Sequence, residues 1–271
     1  MFGVQSIRKK NENLTGMYYD YALMAPVMAG LAESSTGGEK PSVLILGMGS
    51  GTFAVQCARY FPQVDVSGVE IDEKITELAH EYFELPESIP VETYDGRAYL
   101  NADKKKYDVI MVDAYQDITI PFQMSSVEFF SLVKSHLKDN GVMVVNLNMY
   151  DGDGETITSY LSDTIASVFE DVSVIDVPGA TNRELFAASR PELREGLAAA
   201  VENVSDHELR AMLTASESRL KKWDSTGHIF TDDRAPVELM GIKTIDGLIN
   251  SEIQYYKDVF REKGFSGLLE F

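Results

Sequence analysis

A single cysteine, Cys57, stands in the 271 residues. One thiol excludes an internal disulfide, and its setting in "FAVQCARYF", a helical apolar stripe, makes it a core side chain. Basic residues are also scarce, with 24 Lys and Arg against 43 Asp and Glu and a formal charge of −19. That balance argues against nucleic acid, because phosphate binding needs basic surface. It is compatible with drawing in a cationic substrate, and equally with plain solubility. Long apolar runs are missing too. The nearest, "MYYDYALMAPVMAGLA" at 17–32, is broken by Asp20 and Pro26 and falls short of the ~20 apolar residues a membrane span needs. No n-region, h-region and cleavage site is found, so the expected location is cytoplasmic. His80, His136 and His207 fall on helices at no metal-ligand spacing, and no metal is expected.

What the chain does have is an alternation of strand and helix. Val- and Ile-rich runs at 42–47, 65–71, 90–94, 107–114 and 141–148 are separated by helical patterns at 52–60, 73–83, about 96–102 and 125–137. Near-continuous apolar strands alternating with helices imply a parallel sheet buried on both faces. Ser125 followed by Glu128 reads as a capping box opening the fourth helix. A further helix (155–169) and two strands (171–177 and 184–189) finish the sheet as an antiparallel pair. Three parts are expected: an N-terminal segment over 1–40, an α/β nucleoside-binding unit over 41–190, and a helical C-terminal extension over 191–271.

"LILGMGSGTF" is the most informative segment. A strand ends at Gly47, and Gly49 and Gly51 follow directly before a helix. A tight turn, and a ligand lying against bare backbone, both call for glycine. A dinucleotide fingerprint would need glycine at 52, where Thr52 stands; G-x-G-x-G is instead the pattern of adenosyl-sulfonium enzymes. The second strand ends at Glu70, a carboxylate placed to accept hydrogen bonds from two ribose hydroxyls. Asp72 beside it suits a helix N-terminus. The third ends at Asp95 and Gly96, where an adenine amino group would be read, or where a helix is simply capped. The fourth ends at Asp113, with Asp117 four residues on.

These segments resemble the spermidine/spermine synthase family, the polyamine aminopropyltransferases. The resemblance is carried by "FGVQ" (2–5), "GMYYDYAL" (16–23), "LGMGSGT" (47–52 and its flank), "GVEID" (68–72), "YDGRAYL" (94–100), "YDVIMVDAYQD" (107–117) and "EFFSLVKSHLKDNGVMVVNL" (128–147). "TDDRAPVE" (231–238) resembles the C-terminal signature of bacterial synthase-like proteins. The resemblance implies a methyltransferase-like Rossmann fold with a seven-stranded, mostly parallel sheet, and an N-terminal β domain that is reduced, missing or truncated here. It makes Asp113 the catalytic carboxylate. Gln5, Gly47, Gly49, Ser50, Gly51, Glu70, Asp95 and Gly96 would hold decarboxylated S-adenosylmethionine or S-adenosylmethionine. Tyr19, Tyr115, Gln116 and Asp117 would line the channel for a polyamine or other amine acceptor, and a homodimer stays open.

Departures are equally visible. Ser50 stands where the family's glycine turn carries an aspartate for the donor's terminal amine. "D-A-Y-Q-D" replaces "D-S-x-D-P", so the second acid becomes Gln116, or Asp117 shifted by one. Aminopropyl transfer to a polyamine such as putrescine is the expected reaction. Methyl transfer from S-adenosylmethionine, or binding of nucleoside or polyamine without catalysis, are the alternatives.

Overall fold

β-Branched side chains suit a pleated surface packed on both faces, and the Val- and Ile-rich runs become the strands. The computed structural model describes residues 6–10, 12–33, 39–114, 120–148 and 156–267. Two short helices, α1 (Tyr18–Ala22) and α2 (Met24–Met28), precede the sheet. Then β1 (Ser42–Leu46), α3 (Thr52–Tyr60), β2 (Asp65–Glu70), α4 (Glu73–Phe83), β3 (Val91–Thr93), α5 (Gly96–Ala102) and β4 (Tyr107–Val112) alternate. Next come α6 (Val127–Ser135), β5 (Leu137–Leu147), α7 (Ile157–Ala166), β6 (Asp171–Asp176) and β7 (Arg183–Ala188). The chain continues through α8 (Leu193–Val201), α9 (His207–Glu217), β8 (Lys221–Lys222) and the long α10 (Val237–Gly267).

The strand order is β3-β2-β1-β4-β5-β7-β6-β8. β1 to β5 are parallel, and β7 runs antiparallel between β5 and β6. Successive strand residues serve opposite faces: Val43 and Ile45 enter one core, Leu44 and Leu46 the other. The first core is covered by α1, α2, α3, α8 and α9, and the second by α5, α6 and α7. Cys57 is wholly enclosed in the first.

Four local expectations are corrected. The sheet has eight strands among the described residues, not seven, because Lys221 and Lys222 pair with Ser173 and Val174 at the open edge of β6. The cap of α6 is Ser126, not Ser125: Ser126 Oγ accepts from Phe129 N at 3.2 Å, while Ser125 Oγ donates to Phe122 O. Glu128 closes no capping box there, and accepts from Asp232 N at 3.0 Å instead. The fifth strand starts before its expected glycine turn: Tyr107 pairs with Leu137 but Val109 with Val142, so the segment around Gly141 bulges out of the ladder. Finally, α7 is shorter than 155–169, opening at its Thr156 cap and ending at Ala166.

The loop before α10 is a structural latch. Arg97 grips both oxygens of Asp232 at 2.8 and 2.6 Å, and Ser126 donates to Asp232 as well. His228 stacks on Tyr160 with ring centroids 4.5 Å apart, and its N–H donates to Asp163. These contacts fasten "STGHIFTDDRAP" to α5, α6 and α7.

Candidate active site

From β1 the chain winds to β2 and β3 on one side, then returns to place β4 and β5 on the other. In open α/β sheets a ligand crevice forms outside the strand carboxyl ends at such a switch point. A cavity of about 370 Å³ lies there, and its walls include Tyr18, Tyr19, Gly49, Glu70, Asp95 and Asp113.

The glycine turn has two different reasons for its glycines. Gly47 has φ 87°, and a Cβ on it would stand 2.5 Å from the carbonyl oxygen of Asp113. Its need for glycine therefore comes from the neighbouring strand. At Gly49 a Cβ would meet nothing within 4 Å, so this is the bare backbone that faces open space. The Gly49 N–H donates to Glu70 Oε2 at 2.8 Å. Ser50 and Thr52 bond to each other through their hydroxyls at 2.9 Å.

Glu70 is nearly buried, and its Oε1 accepts from the N–H groups of Ile71 and Asp72 at 2.9 and 3.2 Å. Three backbone donors thus orient a carboxylate that has about four lone-pair positions, which leaves capacity for a sugar hydroxyl. Asp72 caps α4 through Lys74 N, and Asp95 caps α5 through Ala98 N at 2.8 Å. Asp95 thus serves the fold while lining the cavity. Gly96 follows it at the first position of α5, with Met124 packed close by.

Asp113 sits just past β4, exposed only in part and lining the cavity. Tyr18 Oη donates to its Oδ2 at 2.7 Å, and Asn146 Nδ2 to its Oδ1 at 2.8 Å. Burial pushes the carboxyl up to about 7; the Tyr18 and Asn146 hydrogen bonds pull it down, and the Glu70 charge pushes it up. A carboxylate so placed is half-ionised near neutrality, where a general base works best.

Tyr18 and Tyr19 reach the site because α1 is fastened from behind. Asp20 accepts from Thr15 N at 3.0 Å, Gly16 N at 2.6 Å and Gln56 Nε2 at 2.7 Å, which ties α1 to α3. The two tyrosine rings lie 3.9 Å apart by centroid, and burial pushes the Tyr19 hydroxyl up to about 12. Behind Asn146, Asn182 Nδ2 donates to Asn146 Oδ1 at 2.8 Å. Glu184 pairs with Asn146 across β5 and β7 and is completely enclosed, with neither carboxyl oxygen hydrogen-bonded among the described residues. Burial first, then the charge of Asp113, raises Glu184 well above the usual carboxylate range.

Most of the expected residues therefore converge on one cavity: Tyr19, Gly47, Gly49, Ser50, Glu70, Asp95, Gly96 and Asp113 all line it. Gly51 closes the turn one layer back, where a Cβ would meet Leu85. Gln5, Tyr115, Gln116 and Asp117 lie outside the described residues. Sequence reasoning missed Tyr18, Asn146 and Glu184. Asn146 left a trace, as the polar residue interrupting the apolar run of the fifth strand. Among the described residues no group of three or more His, Cys, Asp or Glu side chains could hold a metal, and no helix is long and apolar enough to cross a membrane.

Parallel β1–β5, an antiparallel β7 between β5 and β6, and acidic strand ends around a glycine turn define a methyltransferase-like Rossmann fold. Comparison with solved structures agrees. Human methyltransferase-like protein 13, in complex with SAH, aligns with TM-score 0.56 at 24% identity, over 78% of this chain and 94% of that one. A probable spermidine synthase from Corynebacterium glutamicum aligns with TM-score 0.56 at 20% identity, over 77% and 81%.

The sequence narrows the class. The profile of the spermine/spermidine synthase domain matches residues 24–187. A probable polyamine aminopropyl transferase of Bifidobacterium longum is 50% identical over 99% of this chain and 62% of its own length. A polyamine aminopropyltransferase of Vibrio vulnificus is 26% identical over 88% of this chain and 80% of its own. The chain belongs to the spermine/spermidine synthase family. It spans 62% of the length of the Bifidobacterium relative.

Proposed function

We propose that the protein transfers an aminopropyl group from decarboxylated S-adenosylmethionine to a polyamine such as putrescine, with Asp113 as general base. The observation that carries this is the Asp113 carboxyl, tuned to about 7 at the mouth of β4 and facing the same cavity as Glu70, Asp95 and the bare Gly49 backbone. Family membership and the Bifidobacterium relative's name support it. Glu70 would take the ribose, Asp95 with Gly96 the adenine, and Gln5 the thioether end. Tyr19, with Tyr115, Gln116 and Asp117, would border the amine channel.

In the reaction the acceptor nitrogen attacks the carbon next to the sulfonium. The new C–N bond forms as the C–S bond breaks, its electron pair returning to sulfur to leave neutral methylthioadenosine. The proton lost from the ammonium goes to Asp113, directly or through water, and alignment of nitrogen and carbon supplies much of the rest. Tyr18 and Asn146 hold the carboxylate in place for that transfer. The reaction would run in the cytoplasm, in a protein that self-associates.

Methyl transfer is the second reading, favoured by Ser50. With no acid at that point of the turn, nothing there repels the carboxylate of intact S-adenosylmethionine. Incubation of the protein with putrescine and each donor in turn, followed by mass spectrometry of the amine, separates the two. A gain of one aminopropyl unit from the decarboxylated donor is expected. A methyl gain, or no transfer from either donor, contradicts the proposal.

A further inference from the structure

The side-chain amide of Asn146 has two ends of nearly the same shape, of which one only accepts hydrogen bonds and the other only donates. As placed, Nδ2 donates to Asp113 Oδ1 at 2.8 Å, while Oδ1 accepts from Asn182 Nδ2 at 2.8 Å. Turned over, the same amide would bring its oxygen to Asp113. Two acceptors would then meet, unless the Asp113 carboxyl carried a proton to donate. The orientation of Asn146 and the protonation of Asp113 are therefore linked.

Asn182 stands where it selects between the two orientations. Asn146 lies opposite Glu184 in the antiparallel β5–β7 ladder, so Asn182, two residues before Glu184, is its diagonal neighbour on the same face. The turn from β6 carries it there. Val177 N donates to Asn182 O at 3.0 Å, and Arg183 Nε donates to Asp176 Oδ1 at 2.6 Å, which closes the base of the turn. Thr181 Oγ1 donates to Asn148 Oδ1 at 3.0 Å and fastens the turn to the end of β5. Asn146 is only 3% exposed, so its amide relies on protein partners more than on bulk water.

We propose that Asn182 is a positioning residue for Asp113: by donating to Asn146 Oδ1 it keeps the Asn146 NH2 group on the carboxylate and favours the ionised form. Donation to the amide oxygen also polarises the amide, which makes its NH2 group the stronger donor. The consequence for turnover rests on the reading of Asp113 as the base; the effect on the carboxyl itself does not. Among the described residues, the titratable groups that act on Asp113 are Tyr18 and Tyr19 from α1, Glu70 from β2 and Glu184 from β7. All four are common to the proteins compared below.

A carbon-13 titration of the Asp113 carboxyl, assigned by its loss in Asp113→Asn, tests this without turnover. The wild-type midpoint is expected near 7. Asn182→Ala should raise it by roughly half a pH unit or more, a fraction of the net contribution of one hydrogen bond. In an Asn146→Ala background the same substitution should move nothing, because the relay is already cut. Single-turnover rates report the consequence. Asn182→Ala should be about threefold slower than wild type below the midpoint and equal to it well above, where the carboxyl is ionised in both. An unmoved midpoint in Asn182→Ala overturns the inference, and so does an equal shift in the Asn146→Ala background. If the midpoint stays and the rate falls equally at every pH, Asn182, which also lines the cavity, is a substrate contact instead. A midpoint that moves while the rate profile does not upholds the positioning of the carboxyl and removes Asp113 from the role of base.

Discussion

Asp113→Asn is expected to lower turnover by at least about 100-fold, the range set by losing a positioned base, while donor affinity stays within about tenfold. The split follows from position. Gly49, Glu70 and Asp95 line the cavity at the ends of β1, β2 and β3, where the donor is proposed to sit, and Asp113 lines it past β4, where the proposal puts the reacting nitrogen. Asparagine keeps the shape and can still accept from Tyr18 or from Asn146, so the cavity survives. It cannot take a proton. Stability gives an independent readout. Burial raises Asp113 from 3.8 to about 7, so between those values the folded protein holds a proton that the unfolded chain has released. Folding stability therefore falls as pH rises through that window. Asp113→Asn should flatten the fall, leaving the share owed to Glu184. Turnover that persists in the variant would remove Asp113 from the role of base.

Gly47→Ala is expected to destabilise the fold by roughly 3 kcal/mol or more, the range of substitutions that combine backbone strain with a core clash. The added Cβ would lie 2.5 Å from Asp113 O, 2.7 Å from Asp113 C and 2.8 Å from Ala114 Cα. All three are backbone atoms, so no side chain can rotate away. Relief requires parting the ends of β1 and β4, where Asp113 N donates to Leu46 O at 2.9 Å. The position of Asp113 would be lost with it. Gly49→Ala is the contrast: with open space around the Cβ, its cost is the left-handed backbone alone, about 1–2 kcal/mol. Its larger effect should fall on donor binding. Thermal unfolding and donor titration of the two variants measure this, and a Gly47→Ala protein as stable as wild type would contradict it.

How far the structure could be read in advance depended on how local each signal was. The first four strands are announced by their own Val and Ile, and the α3, α4 and α5 ranges match their periodic patterns. β8 could not be foreseen, because two lysines carry no strand pattern and pair only because the edge of β6 is there. The α6 cap failed for a similar reason. Adjacent serines are equivalent locally, and Asp232, 106 residues away, bonds to Ser126. In the site, the glycines and the acids at strand ends were legible because strand and helix boundaries locate them. Tyr18 was not, since neighbouring helical residues point about 100° apart and only the docking of α1 selects which one meets Asp113. Glu184 was invisible for the same physical reason: its character comes from complete enclosure, which a single strand sequence does not record.

The most direct test is the pH dependence of single-turnover aminopropyl transfer in wild type and Tyr18→Phe. In the proposed reaction ionised Asp113 is the active form, so the wild-type rate should rise with pH to a midpoint near 7. Tyr18 lowers the carboxyl by hydrogen bonding to its ionised form, so Tyr18→Phe should move that midpoint upward. Titration of the amine itself is common to both proteins and cancels in the comparison. Superimposable profiles, or a rate without an inflection near neutrality, would contradict the assignment of Asp113 as the base.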